Sequence, residues 1–483
     1  MKSKPNILFL MADQMQGRVF EPGHPCLTPN FDRLIARGIR FSRAYTPNPV
    51  CSPARASLMT GLLPHNHGVL TVTHTVSEDQ SRLRTHHPHW AQHLDAAGYR
   101  TGYFGKWHVE AHQPLSDFGW QVSGEMGHGE MASPLLEQKV QALKGICPPT
   151  PEYALSFRLD GSTGYPDSIF YGVTDIPPEQ RNIGVVTALS LDFLDEALDQ
   201  DQPWCCFVSV QEPHDPFIAG QAAFDQYEVE AIPLADNVHD DLAGRPGIYR
   251  KSAHVWRHMT DRQRREAAAC YYASITEIDE QFGRILDQVE QAGQMDNTIV
   301  VLTSDHGELL GAHGMYCKNF SAYEEIYNIP LIMAGPDLTE GMTTSARVGL
   351  HDLGPTLLDL VGCPPIENSD SQPFAPVLRD PHIHEANYTT GYAEYFGGRM
   401  ILTQRVVWDG PWKFVFNGFD FDELYNLDED PGELNNLADQ AAHRDRLRTM
   451  TAAMWQKIEE TGDHSLARST YPPLRVAPFG PGR

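Results

Sequence analysis

The sequence predicts an α/β fold: a large mixed, mostly parallel sheet sandwiched by helices, plus a smaller C-terminal α+β subdomain with an antiparallel sheet. Three observations predict it. Asn6–Met11, Trp204–Val210 and Thr298–Thr303 are continuous apolar runs without alternation, as expected of parallel strands buried on both faces. The runs lead into polar residues, Asp13-Gln14, then Gln211 to Pro216 around His214, then Ser304 to Glu308, at the strand ends where open α/β sheets bind ligands. After about residue 375 the pattern changes to short strand-like runs, Met400–Trp408 and Trp412–Phe416, around Asp409-Gly410-Pro411. The expected division is a catalytic domain over 1–375 and a C-terminal subdomain with an extended tail over 376–483.

Taken in order, the first apolar run ends at Asp13, which by itself reads as readily as a cap for the next turn. Thr28-Pro29 opens a helix that ends at Gly38, and Ile39–Tyr45 follows it. Cys51-Ser52-Pro53-Ala54-Arg55 stands before a helix-like run, where a helix N-terminus favours negative charge on the cysteine. Residues 65 to 93 hold His65, His67, His74, His86, His87, His89 and His93, whose spacing fits no single metal-site pattern. They read as surface or pocket-rim residues, with His65 and His67 the candidates for touching a substrate. Tyr99–Phe104 is the next strand and leads into Gly105-Lys106-Trp107-His108.

From about Gln121 to Arg181 the chain is rich in proline and glycine with weak periodicity, which suits a pocket wall. Val186, Leu189, Phe193 and Ala197 then give a helical stripe. Thr260-x-x-Gln263 resembles a capping box opening a long helix, with Tyr271, Ile275, Ile278, Phe282, Ile285 and Val289 on its apolar face and Gly293 at its end. Asn328–Met333 reads as one strand and His351–Leu360 as a helix. The tail from Tyr471 is expected to be extended, with docking on a neighbouring subunit slightly favoured over disorder.

The balance of 37 basic against 63 acidic residues gives a formal charge of −26, which argues against nucleic acid or an anionic membrane as partner. An anionic substrate then needs a local reversal of sign, supplied by a bound cation and a few basic side chains. No run approaches the length of a membrane span, and the apolar stretch after Lys4 is too short for a secretory leader, so a cytoplasmic location is expected. The eight cysteines show no CxxC pattern and read as reduced thiols.

Cys51-x-Pro-x-Arg55 followed by Ala-Ser-Leu-Met-Thr-Gly resembles the signature of the type I sulfatases of the alkaline phosphatase superfamily. Gly105-Lys106-Trp107-His108, Pro213-His214, Ser304-Asp305-His306-Gly307 and Lys318 resemble further motifs of that family, in its order, and the resemblance spans nearly the whole chain. It implies that Cys51 is oxidised by a formylglycine-generating maturation enzyme, and that Asp13, Gln14, Asp305, His306 and an oxygen of the modified Cys51 hold one divalent cation. Many sulfatases carry Asp where this chain has Gln14 and Asn where it has His306, which moves preference towards Mn²⁺; Ca²⁺ remains the first choice, with Mg²⁺ also open. Arg55 would stabilise the nucleophile, and Lys106, Lys318 and His214 would contact a small anionic sulfated substrate. His214 would protonate the leaving oxygen, and His108 would turn over the covalent intermediate. The implied activity is sulfate ester hydrolysis, with a carbohydrate sulfate favoured for the polar inserts. The alternatives are a choline sulfatase, a phosphonate monoester or phosphodiester hydrolase, and a non-catalytic binding protein with unconverted Cys51. A homo-oligomer is also allowed.

Overall fold

A computed structural model describes residues 4–77, 82–84, 86–126, 133–144, 152–159, 168–318, 320–398, 400–476 and 478–481. Cys147, with parts of the 121–181 stretch and of the tail, lies outside the described residues.

The main sheet is centred on β1 (Asn6–Ala12), which pairs in parallel with β7 (Trp204–Ser209) on one side and β9 (Thr298–Ser304) on the other. Beyond β7 lie β3 (Arg100–Lys106) and β4 (Val122–Met126), both parallel. Beyond β9 the sheet continues through β11 (Leu331–Ala334) to β2 (Gly38–Tyr45), both pairings antiparallel, and β12 (Met342–Gly349) closes this side in parallel with β2. Asn328–Met333 is not one strand: Pro330, which has no N–H to donate, separates a two-residue β10 (Asn328–Ile329) from β11.

The lack of alternation in the central strands has its cause in burial on both faces. Leu8, Leu10, Cys206, Val208, Val300 and Leu302 pack on one side with Ile275, Ile278 and Phe282 of the Asp261–Gln291 helix. Ile7, Phe9, Met11, Cys205, Phe207, Ile299 and Val301 pack on the other with Trp90, Leu353 and Leu357. Each such aliphatic or aromatic side chain contributes about 1.5–3 kcal/mol by leaving water. The long helix starts at the expected capping box, Gln263 N–H donating to Thr260 Oγ1 at 3.2 Å, and Gly293 follows its C-cap with φ 70°. No helix among the described residues is long and apolar enough to cross a membrane.

The 121–181 stretch carries more regular structure than its composition suggests. Besides β4 it holds a helix, Pro134–Lys144, and two strands, β5 (Tyr153–Arg158) and β6 (Ile169–Thr174). With β8 (Phe217–Gly220) these form a separate three-stranded sheet. β5 is only half-buried, so its signal is a short alternation that the surrounding prolines and glycines mask.

C-terminally, β13 (Thr390–Tyr395), β14 (Gln404–Asp409), β15 (Trp412–Asn417) and β16 (Glu423–Asn426) form an antiparallel sheet in that order. The Arg444–Thr461 helix packs on it through Leu447, Met450, Met454 and Ile458. The tail departs from expectation. Pro472–Val476 is helical rather than extended, and Leu474 and Phe479 pack on this chain's own C-terminal core. Arg444 and Arg448 lie over the Phe479 ring at 5.2 and 4.9 Å, which ties this part of the tail to the chain's own C-terminal helix.

Candidate active site

Strand ends deliver most of the site. Asp13 and Gln14 follow β1, Lys106 ends β3 with His108 just beyond, His214 follows β7, and Asp305 and His306 follow β9. The topology therefore converges on one crevice residues that the sequence keeps up to 293 positions apart. Gln14 and His108 take positive φ, 69° and 53°, a conformation a side chain adopts only when its surroundings hold it there. Cys51 is the first residue of the Cys51–Thr60 helix, which is buried along its whole length and ends at Gly61 in the left-handed conformation. Val50 is extended and accepts the Ala54 N–H at 3.0 Å, so the helix N-terminus starts at the cysteine.

Around Cys51 lies a compact cluster. The ligand atoms of Asp13, Cys51, Asp305 and His306 are all within 4.8 Å of one another, with Cys51 Sγ 3.2 Å from His306 Nε2 and 3.7 Å from Asp13 Oδ1. His306 Nδ1 lies 2.9 Å from the Gly307 carbonyl, which can only accept, so Nδ1 carries the proton and the Nε2 lone pair turns inward. Two carboxylates and an imidazole oriented by a backbone acceptor are a donor set that fits a divalent cation.

Arg55 braces this cluster from behind. Its Nε donates to Asp305 Oδ2 at 2.8 Å and its Nη2 to Asp13 Oδ2 at 3.0 Å. Its Nη1 donates to Ser209 Oγ and to the Lys106 carbonyl, both at 2.8 Å. Lys106 Nζ reaches Asp13 Oδ2 at 2.6 Å. Burial works against charge on Asp13, as does Cys51, but Lys106, His214 and Arg55 outweigh them and hold its carboxyl well below the usual range. Burial and the charge of Asp13 push Asp305 the other way, upward. For the Cys51 thiol, burial opposes ionisation, yet Lys106, Lys318, His306 and a hydrogen bond from His108 bring it well below its ordinary value. His108 in turn shares Nε2 with His74 Nδ1 at 3.0 Å.

A second layer surrounds Lys318. Its Nζ donates to Gln14 Oε1 at 2.8 Å and lies 2.5 Å from His214 Nε2. Gln14 Nε2 donates to Glu308 Oε2 at 2.6 Å and to Asp215 Oδ1 at 3.0 Å. Burial raises Glu308 to about 7, whereas His214 and Lys318 overcome burial at Asp215 and lower it.

All ten residues singled out from the sequence thus lie in this one region: Asp13, Gln14, Cys51, Arg55, Lys106, His108, His214, Asp305, His306 and Lys318. Gln14 differs from expectation in detail, since its carboxamide oxygen faces Lys318. His65 and His67 do not join them. His67 is buried against Ser57 Oγ at 2.9 Å, and His65 is engaged by Glu394 at 2.7 Å and by the Thr461 carbonyl at 3.0 Å. Sequence reasoning missed Ser209, Asp215, Glu308 and His74. Asp215 and Glu308 adjoin recognised motifs, a signal that could have found them; His74 was one histidine among seven in its stretch.

A crevice with a side-chain cluster fit for a divalent cation, an activated residue at a helix N-terminus and two lysines belongs to a hydrolase of anionic esters. The Sulfatase family model matches residues 5–363, and the model described as N-sulphoglucosamine sulphohydrolase, C-terminal, matches residues 311–461. The chain belongs to the sulfatase family and is a sulfuric ester hydrolase, in a family whose chemistry uses a metal ion and formylglycine. Choline-sulfatase of Rhizobium meliloti (strain 1021) is 30% identical over 479 residues, covering 94% of this chain and 87% of that protein. Among solved structures, a protein in complex with its substrate D-glucosamine-2-N,6-O-disulfate superposes with a TM-score of 0.74 at 22% identity, over 95% of this chain and 98% of that one. A phosphonate monoester hydrolase from Silicibacter pomeroyi superposes with a TM-score of 0.79 at 22% identity, over 96% and 97%. At these identities the two structures show the shared fold.

Proposed function

We propose that this enzyme hydrolyses the sulfate ester of a carbohydrate, with Cys51 converted to formylglycine by a maturation enzyme and one divalent cation, Ca²⁺ before Mn²⁺ or Mg²⁺, held by Asp13, Asp305 and His306 with Gln14 beside them. The observation that carries the reaction is the position of Cys51 Sγ inside the Asp13–Asp305–His306 cluster, with ligand atoms within 4.8 Å, under Lys106. For the carbohydrate, support comes from the match of residues 311–461, which contain Lys318 and the C-terminal sheet, to the N-sulphoglucosamine sulphohydrolase model.

When present, formylglycine supplies a hydrated aldehyde whose two hydroxyls allow attack on sulfur and later release, and the cation supplies charge that favours an ionised hydroxyl. The chain's own residues do the remainder. Lys106 and Lys318 offset charge on the sulfuryl oxygens. His214 holds Nδ1 on the Asp215 carbonyl at 2.7 Å and Nε2 2.5 Å from Lys318 Nζ, so the His214–Lys318 pair holds the proton for the departing alcohol oxygen. Burial and Lys318 oppose charge on His214, but Asp215 and Asp13 favour it and raise it above its ordinary value. His108, hydrogen-bonded to the side chain at position 51, takes the proton whose removal frees sulfate. Arg55 donates to both Asp13 and Asp305 and so favours the charged form of each carboxylate.

A second reading, choline sulfate or a phosphonate ester, draws on the choline-sulfatase relative and the phosphonate hydrolase fold. The test is turnover by converted enzyme, with conversion established by peptide mass spectrometry across Cys51, on 6-sulfated and 2-sulfated amino sugars, choline sulfate and an aryl phosphonate. The proposal expects the highest kcat/KM on a sulfated sugar. A higher value on choline sulfate or the phosphonate sinks it.

A further inference from the structure

Gln14 is a neutral side chain set among charged ones, and its surroundings permit a single amide orientation. Both protons of Nε2 are consumed by acids, Glu308 Oε2 at 2.6 Å and Asp215 Oδ1 at 3.0 Å, while Oε1 accepts from the Lys318 ammonium at 2.8 Å. Turning the amide over would set its oxygen against two acceptors and its NH₂ against an ammonium, losing all three bonds. The side chain is fully buried, so water cannot replace them. The backbone of Gln14 is fixed as well: its N–H donates to Asp305 Oδ1 at 3.1 Å and its carbonyl accepts from Tyr271 Oη at 2.7 Å.

Glu308 is equally immobile. It is fully buried, and its other oxygen, Oε1, accepts the backbone N–H groups of Leu310 at 2.8 Å and Cys317 at 2.6 Å. Cys317 immediately precedes Lys318. One side chain therefore ties together the amide that the lysine touches and the backbone that delivers the lysine. A glutamate at position 14 would have the same length, but it would add a third carboxyl group where Asp215 and Glu308 already meet.

We propose that Glu308, assisted by Asp215, is a positioning residue: it locks the Gln14 carboxamide with its oxygen on Lys318 and so sets where the Lys318 ammonium meets the sulfuryl group. This rests on the sulfate-contacting role proposed above for Lys318.

The test is a cycle of Glu308→Gln, Gln14→Glu and the double variant. One readout is the unfolding midpoint of the metal-free protein with unconverted Cys51, measured with and without inorganic sulfate. The other is KM and kcat of converted, metal-loaded enzyme on p-nitrophenyl sulfate. Glu308→Gln sets NH₂ against NH₂ or flips Gln14, so it is expected to raise KM about tenfold and to reduce the sulfate-induced shift in Tm, with a smaller change in kcat. Gln14→Glu is expected to lower Tm. The double variant restores the bond with its direction reversed, and is expected to recover Tm and about tenfold in kcat/KM over Gln14→Glu. Additive effects in the double variant overturn the proposal. So does coupling in Tm with unchanged KM and sulfate shift in Glu308→Gln, because the contact would then be structural only. Wild-type enzyme that binds sulfate but turns over no sulfate ester counts against the proposed reaction, while the sulfate shifts of the variants still decide the role of Glu308.

Discussion

Arg55 and Asp305, 250 residues apart in sequence, meet at 2.8 Å through Nε and Oδ2 in a fully buried contact, and the same guanidinium reaches Asp13 at 3.0 Å. The planar fork serves both carboxylates from one side and leaves their other oxygens for the cluster. Lysine cannot copy this, being a point charge with no fork. Arg55→Ala leaves two buried carboxylates without their common partner, and the expected cost is about 3–5 kcal/mol of unfolding free energy. Denaturant unfolding of the metal-free protein measures it, and a loss under about 1 kcal/mol would show that the fork is not a structural brace.

Cys51→Ser keeps a hydroxyl at the helix N-terminus but supplies only one. It is expected to accept the sulfuryl group once and to stop as a covalent adduct visible by intact mass, whereas Cys51→Ala forms none. Multiple turnover by either variant at the wild-type rate contradicts the proposed role of position 51.

How much of this could be read from the sequence follows from burial. β1, β7 and β9 are legible because two-sided burial forces unbroken apolar runs, and the polar residues at their ends stand out against them. Strands β5 and β6 escaped because their sheet is small and β5 half-exposed, so hydrophobic pattern carries little information there. The second layer escaped for another reason. Glu308 and Asp215 act through distance to Gln14, a relation between chain segments up to 294 residues apart that no local pattern encodes. His65 was misread because its partners, Glu394 and Thr461, belong to the C-terminal region.

His74 Nδ1 lies 3.0 Å from His108 Nε2 with ring centroids 5.0 Å apart, and His74 is exposed. A proton taken by His108 can therefore pass outward across this bond. His74→Phe keeps a ring without its nitrogens and is expected to lower kcat about tenfold with little change in KM, with partial rescue by added imidazole. Unchanged kcat would limit His74 to packing.

Removing the cation with a chelator is expected to abolish turnover and to lower Tm, because Asp13, Asp305 and His306 converge within 4.8 Å and a bound cation favours the folded state by linkage. Refilling separately with Ca²⁺, Mn²⁺ and Mg²⁺ ranks them by recovered kcat and by Tm. The imidazole of His306 supports Mn²⁺ more than an all-oxygen site would, so Ca²⁺ restoring activity best supports the proposed metal, and Mn²⁺ restoring it best replaces it.

His65 links the N-terminal region to the C-terminal sheet and should make stability depend on pH. Its Nδ1 lies 2.7 Å from Glu394 Oε1 and its Nε2 3.0 Å from the Thr461 carbonyl, so both nitrogens face acceptors and the imidazolium satisfies both. Burial opposes that charge, but Glu394 outweighs it and lifts His65 from 6.5 to about 9. A folded-state value above the unfolded one means stability that is fully present below the unfolded value and is lost as pH rises through the folded one. The window is therefore about pH 6.5 to 9, and the shift corresponds to about 3–4 kcal/mol at most. Unfolding free energies of wild type and His65→Gln are expected to differ most near pH 6 and to converge above about pH 9. A difference that stays constant across that range would mean that His65 is neutral in the folded protein and holds Glu394 by a single hydrogen bond.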